Sequence, residues 1–259
     1  MVSTVQNTDI EQKDAEHAVV VAMTFKAVFG SDDGDDVYGA GVAFTLLQAL
    51  QTVNERLLLE NPSEMLLFDI ILITTDRQQQ QQSDRIMSST RHHGLQIHRF
   101  CFSCEDDFTD SLLQNKVHLF LSTDKNETVQ AASRGVLSAL VDHQTTLCSS
   151  QQLKVVFCGD SIVQPDADIN AASRQAAEVF SAQLGEMRRR FGALDSPLSI
   201  VVMTSSGGRD SCCSALRTLR TRGLSVDEAH CLAGAPRGII LSVLRPHFQL
   251  SDGLSGLQD

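Results

Sequence analysis

Positive charge is scarce in this chain. There are 21 lysines and arginines against 32 aspartates and glutamates, which leaves a net charge of −11 over 259 residues. A surface of that sign repels phosphate backbones at long range, so we expect no nucleic-acid partner. A small anionic ligand is still compatible with it, because the free N–H groups at a helix N-terminus attract an anion locally.

Long apolar runs are also missing. The most apolar stretch, Met65 to Ile73, is interrupted by Asp69 and is too short to cross a bilayer. Residues 1–17 form a polar tail without the apolar centre of a signal peptide. The chain has seven cysteines, an odd number, and their spacing does not match a disulfide framework. Both features are typical of reduced thiols. We therefore expect a cytoplasmic protein that does not associate with membranes.

Short apolar runs alternate with segments of helical periodicity. The runs are Ala18–Met23, Asp69–Ile73, Val117–Leu121, Leu153–Phe157 and Ser199–Met203. Because they are continuous, they predict strands buried on both faces of a parallel sheet. Helical spacing covers 42–58, 128–141 and 171–191, the last with Val179, Phe180, Leu184 and Met187 on one stripe. The alternation predicts a doubly wound α/β fold.

The two halves of the chain resemble each other at a nearly constant offset. Three pairs of segments correspond: 68–75 with 198–205, 94–97 with 223–226, and 118–122 with 247–251 (204 − 74 = 130; 223 − 94 = 129; 247 − 118 = 129). We interpret them as two related Rossmann-like lobes, 18–150 and 151–259, with a small helical cap at about 164–194. The alternative is that α/β units look alike because all buried strands obey the same physics.

Polar residues follow several predicted strands of the second half. Leu153–Phe157 runs into Cys158, Gly159 and Asp160, where we expect Gly159 to let the backbone bend. Ligands of open α/β sheets bind beyond the carboxyl ends of the strands. The next strand ends at Thr204, and residues with hydroxyl side chains and glycines follow before a predicted helix. Such residues at a helix N-terminus suit a phosphate. Further on, Arg237 lies on a predicted loop and Asp252 follows the last apolar segment.

At these strand ends the chain resembles the type I cytosolic 5′-nucleotidases, which have a haloacid-dehalogenase-like fold. That family has Phe-Asp-Gly-Asp-Ala-Val, Val-Thr-Ala-Arg-Ser, Asp-Glu-Ala-x-Phe-Leu-Ala-Gly-Ala-Pro-Lys-Gly and Arg-Pro-His-Ile-Phe-Phe-Asp-Asp. The corresponding segments here are Phe157-Cys-Gly-Asp-Ser-Ile162, Met203-Thr-Ser-Ser206, Asp227-Glu-Ala-His-Cys-Leu-Ala-Gly-Ala-Pro-Arg-Gly238 and Arg245-Pro-His-Phe-Gln-Leu-Ser-Asp252. The similarity covers roughly residues 18–252.

The resemblance implies magnesium-dependent hydrolysis of a nucleoside 5′-monophosphate such as AMP. Cys158 stands at the position of the nucleophile, and Asp160 at that of the general acid/base, whose backbone also contacts the metal. Thr204 and Arg237 correspond to the residues that bind the phosphate. Asp252 and Ser251 stand at the positions of two further metal ligands. Metal and cation neutralise charge in this chemistry while a carboxylate forms a transient acyl phosphate.

Several residues depart from the family pattern, four of them at positions where the family has a charged residue. Cys158 and Ser251 replace aspartates, Arg237 replaces a lysine, and Ser206 replaces an arginine. A soft thiol is a poor ligand for magnesium, which prefers oxygen. We therefore expect reduced or lost activity. The alternative is a catalytically silent nucleotide-binding or regulatory paralogue, which forms a homo-oligomer or a hetero-oligomer with an active relative.

Cysteines suggest two other chemistries, and neither fits well. Cysteine phosphatases place an arginine six residues after the cysteine, but Gln164 is there, and Asp160 would repel phosphate. We interpret Cys158 instead as a small, buried thiol. Cys101 and Cys104 form a single Cys-x-x-Cys pair without a second pair, so we expect no zinc site.

Overall fold

The computed structural model describes residues 3–14, 16–30, 37–74, 82–103, 108–142, 148–163, 171–192, 195–205 and 208–250. They form two sheets with helices around them. Among these residues, no helix is long and apolar enough to cross a membrane.

The first sheet is built from the amino-terminal half. Its strand order within the described residues is β1-β4-β3-β2-β5-β6. The strands are β1 Ser3–Gln6, β2 Val19–Thr24, β3 Phe68–Thr74, β4 Arg99–Phe102, β5 Leu119–Ser122 and β6 Ser138–Leu140. The helices are α1 Phe25–Val28, α2 Phe44–Glu60, α3 Ser83–His92, α4 Phe108–Gln114 and α5 Lys125–Ser133. All strands pair in parallel except β1, which runs antiparallel to β4.

The second sheet is built from the carboxyl-terminal half. Its strand order within the described residues is β10-β7-β8-β9, and every pairing is parallel. The strands are β7 Leu153–Cys158, β8 Leu198–Thr204, β9 Glu228–Cys231 and β10 Phe248–Leu250. The helices are α6 Gly159–Val163, α7 Ala171–Arg189, α8 Gly208–Thr221 and α9 Arg237–Leu244. The mixed α/β fold with parallel sheets that the sequence predicted is thus confirmed.

Away from the site, three local predictions differ from the structure. The segment 128–141 is not one helix, because α5 ends at Ser133 and β6 follows. The polar tail contains β1, whose pairing with β4 gives its backbone hydrogen bonds a partner. In α7, the buried stripe includes Phe180, Leu184 and Met187, whereas Val179 is 42% exposed.

One hydrophobic core joins the two sheets. The same cluster of buried side chains contains Val21 of β2, Leu50 of α2, Val155 of β7 and Phe180 of α7. Helix α2 contacts both β3 and β7, and β10 lies against β6 of the first sheet. Residues 171–189 of the predicted cap form α7, and its apolar stripe enters this shared core.

Strand order supports the predicted duplication. Read from one edge, the second sheet runs β9-β8-β7-β10, and the first sheet contains β4-β3-β2-β5, the same order in corresponding segments. Thr74 and Thr204 each end the second strand of their set. Thr24 pairs with the residue before Thr74, and Cys158 pairs with the residue before Thr204, so Thr24 and Cys158 are equivalent.

Two histidines that directly precede strands occupy corresponding positions in the two halves. Nδ1 of His118 accepts a hydrogen bond from the N–H of Val20 at 3.0 Å, and the His118 N–H donates to the Val20 carbonyl at 2.9 Å. His247 makes the same two bonds to Lys154, at 3.0 and 2.9 Å. The offsets are 247 − 118 = 129 and 154 − 20 = 134. A side-chain contact shared at equivalent positions is a more specific similarity than the general resemblance of buried strands.

A third histidine has an aspartate as its counterpart. His98 accepts from the N–H of Ile70 at 3.0 Å, and Asp227 accepts from the N–H of Ile200 at 2.8 Å. Asp227 also forms an ion pair with Arg188 of α7 at 2.6 Å. The first part of the distinctive run 227–238 therefore has a structural role, since it fixes the start of β9 against β8 and α7.

Candidate functional site

The centre of the site is the turn from β7 into α6. Cys158 is the last residue of β7, and Gly159 and Asp160 begin α6. The Ser161 hydroxyl donates to the Cys158 carbonyl at 2.9 Å, which holds the turn closed. Our interpretation of Cys158 as a buried thiol was wrong, because its side chain at the end of β7 is partly exposed.

Gly159 is required by close packing. A Cβ atom at this position would lie 2.5 Å from Cγ2 of Thr204 and 3.1 Å from Cβ of Ala215. Its φ is not in the left-handed region that favours glycine, so the backbone bend that we expected from the sequence does not explain why this residue is a glycine. The missing side chain instead lets β7 approach β8 and α8 closely.

The end of β8 provides the next two residues. The Ser205 N–H donates to Oδ2 of Asp160 at 2.7 Å, which ties the two strand ends together. Thr204 is fully buried, and its Oγ1 has no hydrogen-bond partner among the described residues. Burial raises the pKa of the Cys212 thiol in α8.

Arg237 brings a cation over the centre; the prediction that it lies on a loop was wrong, because it is the first residue of α9, directly after Pro236. Its Nη2 lies 3.0 Å from Oδ2 of Asp160 and 3.3 Å from Sγ of Cys158, and its Nε donates to the Ser205 hydroxyl. About a quarter of its side chain, 26%, is exposed. Burial alone would lower the pKa of Arg237, but Cys158 and Asp160 beside it outweigh burial and raise that pKa. The guanidinium is therefore fixed, charged and open to solvent on one side.

The described residues do not fit a magnesium ion. No group of three histidine, cysteine, aspartate or glutamate side chains within the described ranges could hold a metal. Asp160, the carboxylate that the described residues place at the centre, already accepts hydrogen bonds from Ser205 and Arg237. Cys158 offers sulfur, which magnesium disfavours.

Four of the residues chosen from the sequence lie together at the carboxyl ends of β7 and β8 and at the start of α9. They are Cys158, Asp160, Thr204 and Arg237. The other two, Ser251 and Asp252, lie outside the described residues, as does Gln164. The sequence predicted this grouping because the ends of parallel strands meet at one edge.

Ser205 is the residue that sequence reasoning missed. It contacts Asp160 through its N–H and Arg237 through its hydroxyl. The available signal was a hydroxyl directly after Thr204, where the family segment has an alanine. The spacing from Cys158 to Arg237 also gave no hint that the cation lies 3.3 Å from the thiol.

Comparisons with known proteins agree with the family suggested by the strand ends. The family model described as 5′-nucleotidase matches residues 27–184, a range that includes Cys158 and Asp160. Human cytosolic 5′-nucleotidase 1B is 29% identical over 284 aligned residues, which cover 92% of this chain and 46% of the human protein. The chain thus spans about half the length of that relative. No solved structure matches this chain significantly.

Proposed function

This chain belongs to the 5′-nucleotidase family, and we propose that it binds nucleoside 5′-monophosphates such as AMP at Cys158, Asp160 and Arg237. We further propose that it hydrolyses them far more slowly than relatives that have a carboxylate nucleophile. The similarity to a cytosolic relative supports the cytoplasm as its compartment.

The observation that carries the binding proposal is the position of Arg237. Its planar guanidinium is held over the turn from β7 into α6 and has donors that suit the paired oxygens of a phosphate. Phosphate at that place would lie beyond the ends of β7 and β8, where open α/β sheets bind their ligands. The net charge of −11 does not oppose this, because a fixed cation acts locally.

The observation that carries slow hydrolysis is the chemistry of Cys158. The family's reaction begins with attack by a carboxylate, and Cys158 offers a thiol instead. Asp160, at the position of the general acid, is paired with Arg237 at 3.0 Å. An acid must hold a proton to give to the leaving oxygen, and an adjacent guanidinium favours the ionised carboxylate. By analogy with nucleophile knockouts, we expect a loss on the order of 10⁴ or more in kcat.

The ion pair between Arg237 and Asp160 also favours a second candidate function. A centre with this pair and no carboxylate at Cys158 retains the means to bind a phosphate after catalysis is lost. In that case the protein is a nucleotide-binding paralogue that regulates an active relative, as a homo-oligomer or a hetero-oligomer. Turnover of AMP distinguishes the two functions.

Phosphate release from AMP in the presence of magnesium tests the proposal. We expect very slow release by the native chain and faster release by Cys158→Asp, because the substitution returns both a nucleophile and an oxygen ligand. The double variant with Ser251→Asp should be faster still. Cys158→Ala is the matched control and should remain slow.

Two results would contradict this assignment. Rapid, magnesium-dependent turnover by the native chain that survives Cys158→Ala would show that the nucleophile lies elsewhere. Turnover by the native chain that Cys158→Ala abolishes would assign the attack to the thiol. AMP binding without any turnover, even in the double variant, would favour the regulatory function.

A further inference from the structure

We infer that this site binds a phosphate monoester without a divalent cation, with Arg237 as the positive charge and Ser205 as the residue that positions it. The inference rests on the proposed nucleotide binding and goes beyond it, because the resemblance implies a magnesium-dependent site. It depends on the contacts of four residues: Cys158, Asp160, Ser205 and Arg237.

Among the described residues, the ion pair at the centre balances its charges without a metal. The Asp160 carboxylate faces the Arg237 guanidinium at 3.0 Å, so its charge is neutralised within the protein. Magnesium bound there would have to displace that cation or lie next to it, and two positive charges at such a distance repel. Arg237 also contacts the Cys158 thiol at the end of β7, and a thiol is a poor magnesium ligand.

Ser205 holds the guanidinium directly through its hydroxyl and indirectly through Asp160. Its hydroxyl accepts from Nε of Arg237, and its N–H donates to the carboxylate oxygen that also accepts from Nη2. Nε and Nη2 of Arg237 thereby make hydrogen bonds, whereas Nη1 makes none to the described part of the chain. A guanidinium fixed along one edge presents its other edge to an incoming oxyanion, and little conformational entropy remains to be lost.

The substitutions at these positions are mutually consistent. A lysine at position 237 would offer a compact charge without the planar set of donors that faces Asp160, Cys158 and Ser205 here. An alanine at position 205 would leave Nε without its acceptor. A carboxylate at position 158 would add a negative charge beside Asp160, and a metal would then be needed to offset the repulsion of phosphate. Cys158, Ser205 and Arg237 together thus replace the function of a metal in binding.

Calorimetric titration of AMP into the full chain tests the inference. We expect the dissociation constants in EDTA and in excess magnesium to agree within about threefold, since no metal takes part in binding. For Cys158→Asp, we expect AMP to bind at least about tenfold more weakly in EDTA than in magnesium, a difference of about 1.4 kcal/mol. That gain of metal dependence is a readout that a general loss of stability would not produce.

Variants of Ser205 test its positioning role. Ser205→Ala should weaken AMP binding about fivefold or more in both buffers, and Ser205→Thr, which keeps the hydroxyl, should restore most of the affinity. Ser242→Ala is the matched control, because its hydroxyl donates to the Ile239 carbonyl within α9, away from the centre. It should bind AMP as the native chain does.

The outcomes separate this inference from the proposed function. Native binding that is tenfold or more weaker in EDTA would overturn metal-independent binding while leaving nucleotide binding intact. An affinity unchanged by Ser205→Ala would overturn the role of Ser205. Absence of AMP binding in both buffers would overturn the proposed function and the inference together.

Discussion

The residues at the centre show what a sequence can and cannot predict at this scale. Cys158, Asp160 and Thr204 follow buried strands, so their placement at one edge follows from parallel pairing. Ser205 and the contact between Arg237 and Cys158 depend on how α9 packs, and no local pattern encodes that packing. Which residues lie at the site was therefore largely predictable from the sequence, whereas the contacts that each side chain makes were not.

Gly159 provides a prediction at the residue scale. Gly159→Ala should lower the free energy of unfolding by about 1–3 kcal/mol, because the new Cβ would meet Thr204 and Ala215 in a region without free volume. Urea denaturation measures the change. Gly192→Ala is the control, since a Cβ there meets nothing within 4 Å, and it should change stability by less than about 0.5 kcal/mol. Equal effects of the two substitutions would show that packing at Gly159 is loose.

At the scale of elements, the central strands were predicted and several edge elements were not. β2, β3, β7 and β8 are buried along most of their length, so they read as continuous apolar runs. Strand β9 is largely exposed, and its sequence Glu-Ala-His-Cys carries no apolar run. Edge strands such as β1 and β9 are specified by the neighbour that they pair with rather than by their own composition.

The histidines that connect neighbouring strands predict how stability depends on pH. Burial lowers the pKa of His98 and of His247 from 6.5 to about 4, and it also lowers that of His118. The unfolded chain therefore binds more protons than the folded chain between about pH 4 and 6.5. The contribution of these neutral histidines to the free energy of unfolding is fully present above pH 6.5. It is lost as the pH falls towards 4, by on the order of 3 kcal/mol for each of His98 and His247.

Urea denaturation between pH 4.5 and 7.5 measures this dependence. The free energy of unfolding should rise with pH across the interval, and His247→Gln should flatten part of the rise, because its Nδ1 no longer titrates. His230, which is not buried, provides the control, and His230→Gln should leave the slope unchanged. A native chain whose stability is constant or falls from pH 4.5 to 6.5 would contradict neutral, buried histidines at these strands.

At the scale of the whole molecule, two equivalent sheets share one core but differ at their carboxyl ends. The strand orders correspond, and so do His118 and His247. The position of Asp160 corresponds to Lys26 in the first half (160 − 26 = 134), so the charge is inverted between the two edges. The sequence suggested a duplication because the spacing of strands is similar in the two halves, whereas the joining of both sheets into one core required the structure.

The central claim is that the second sheet, and not the first, has the nucleotide site, with Arg237 as its cation. The affinity for AMP of Arg237→Gln compared with Lys26→Gln tests this most directly, since each substitution removes one positive charge near the carboxyl edge of one sheet. We predict that Arg237→Gln weakens binding at least about tenfold, as expected for the loss of charge-assisted hydrogen bonds. Lys26→Gln should leave the affinity unchanged. Native affinity in Arg237→Gln, or a larger loss in Lys26→Gln, would contradict the account.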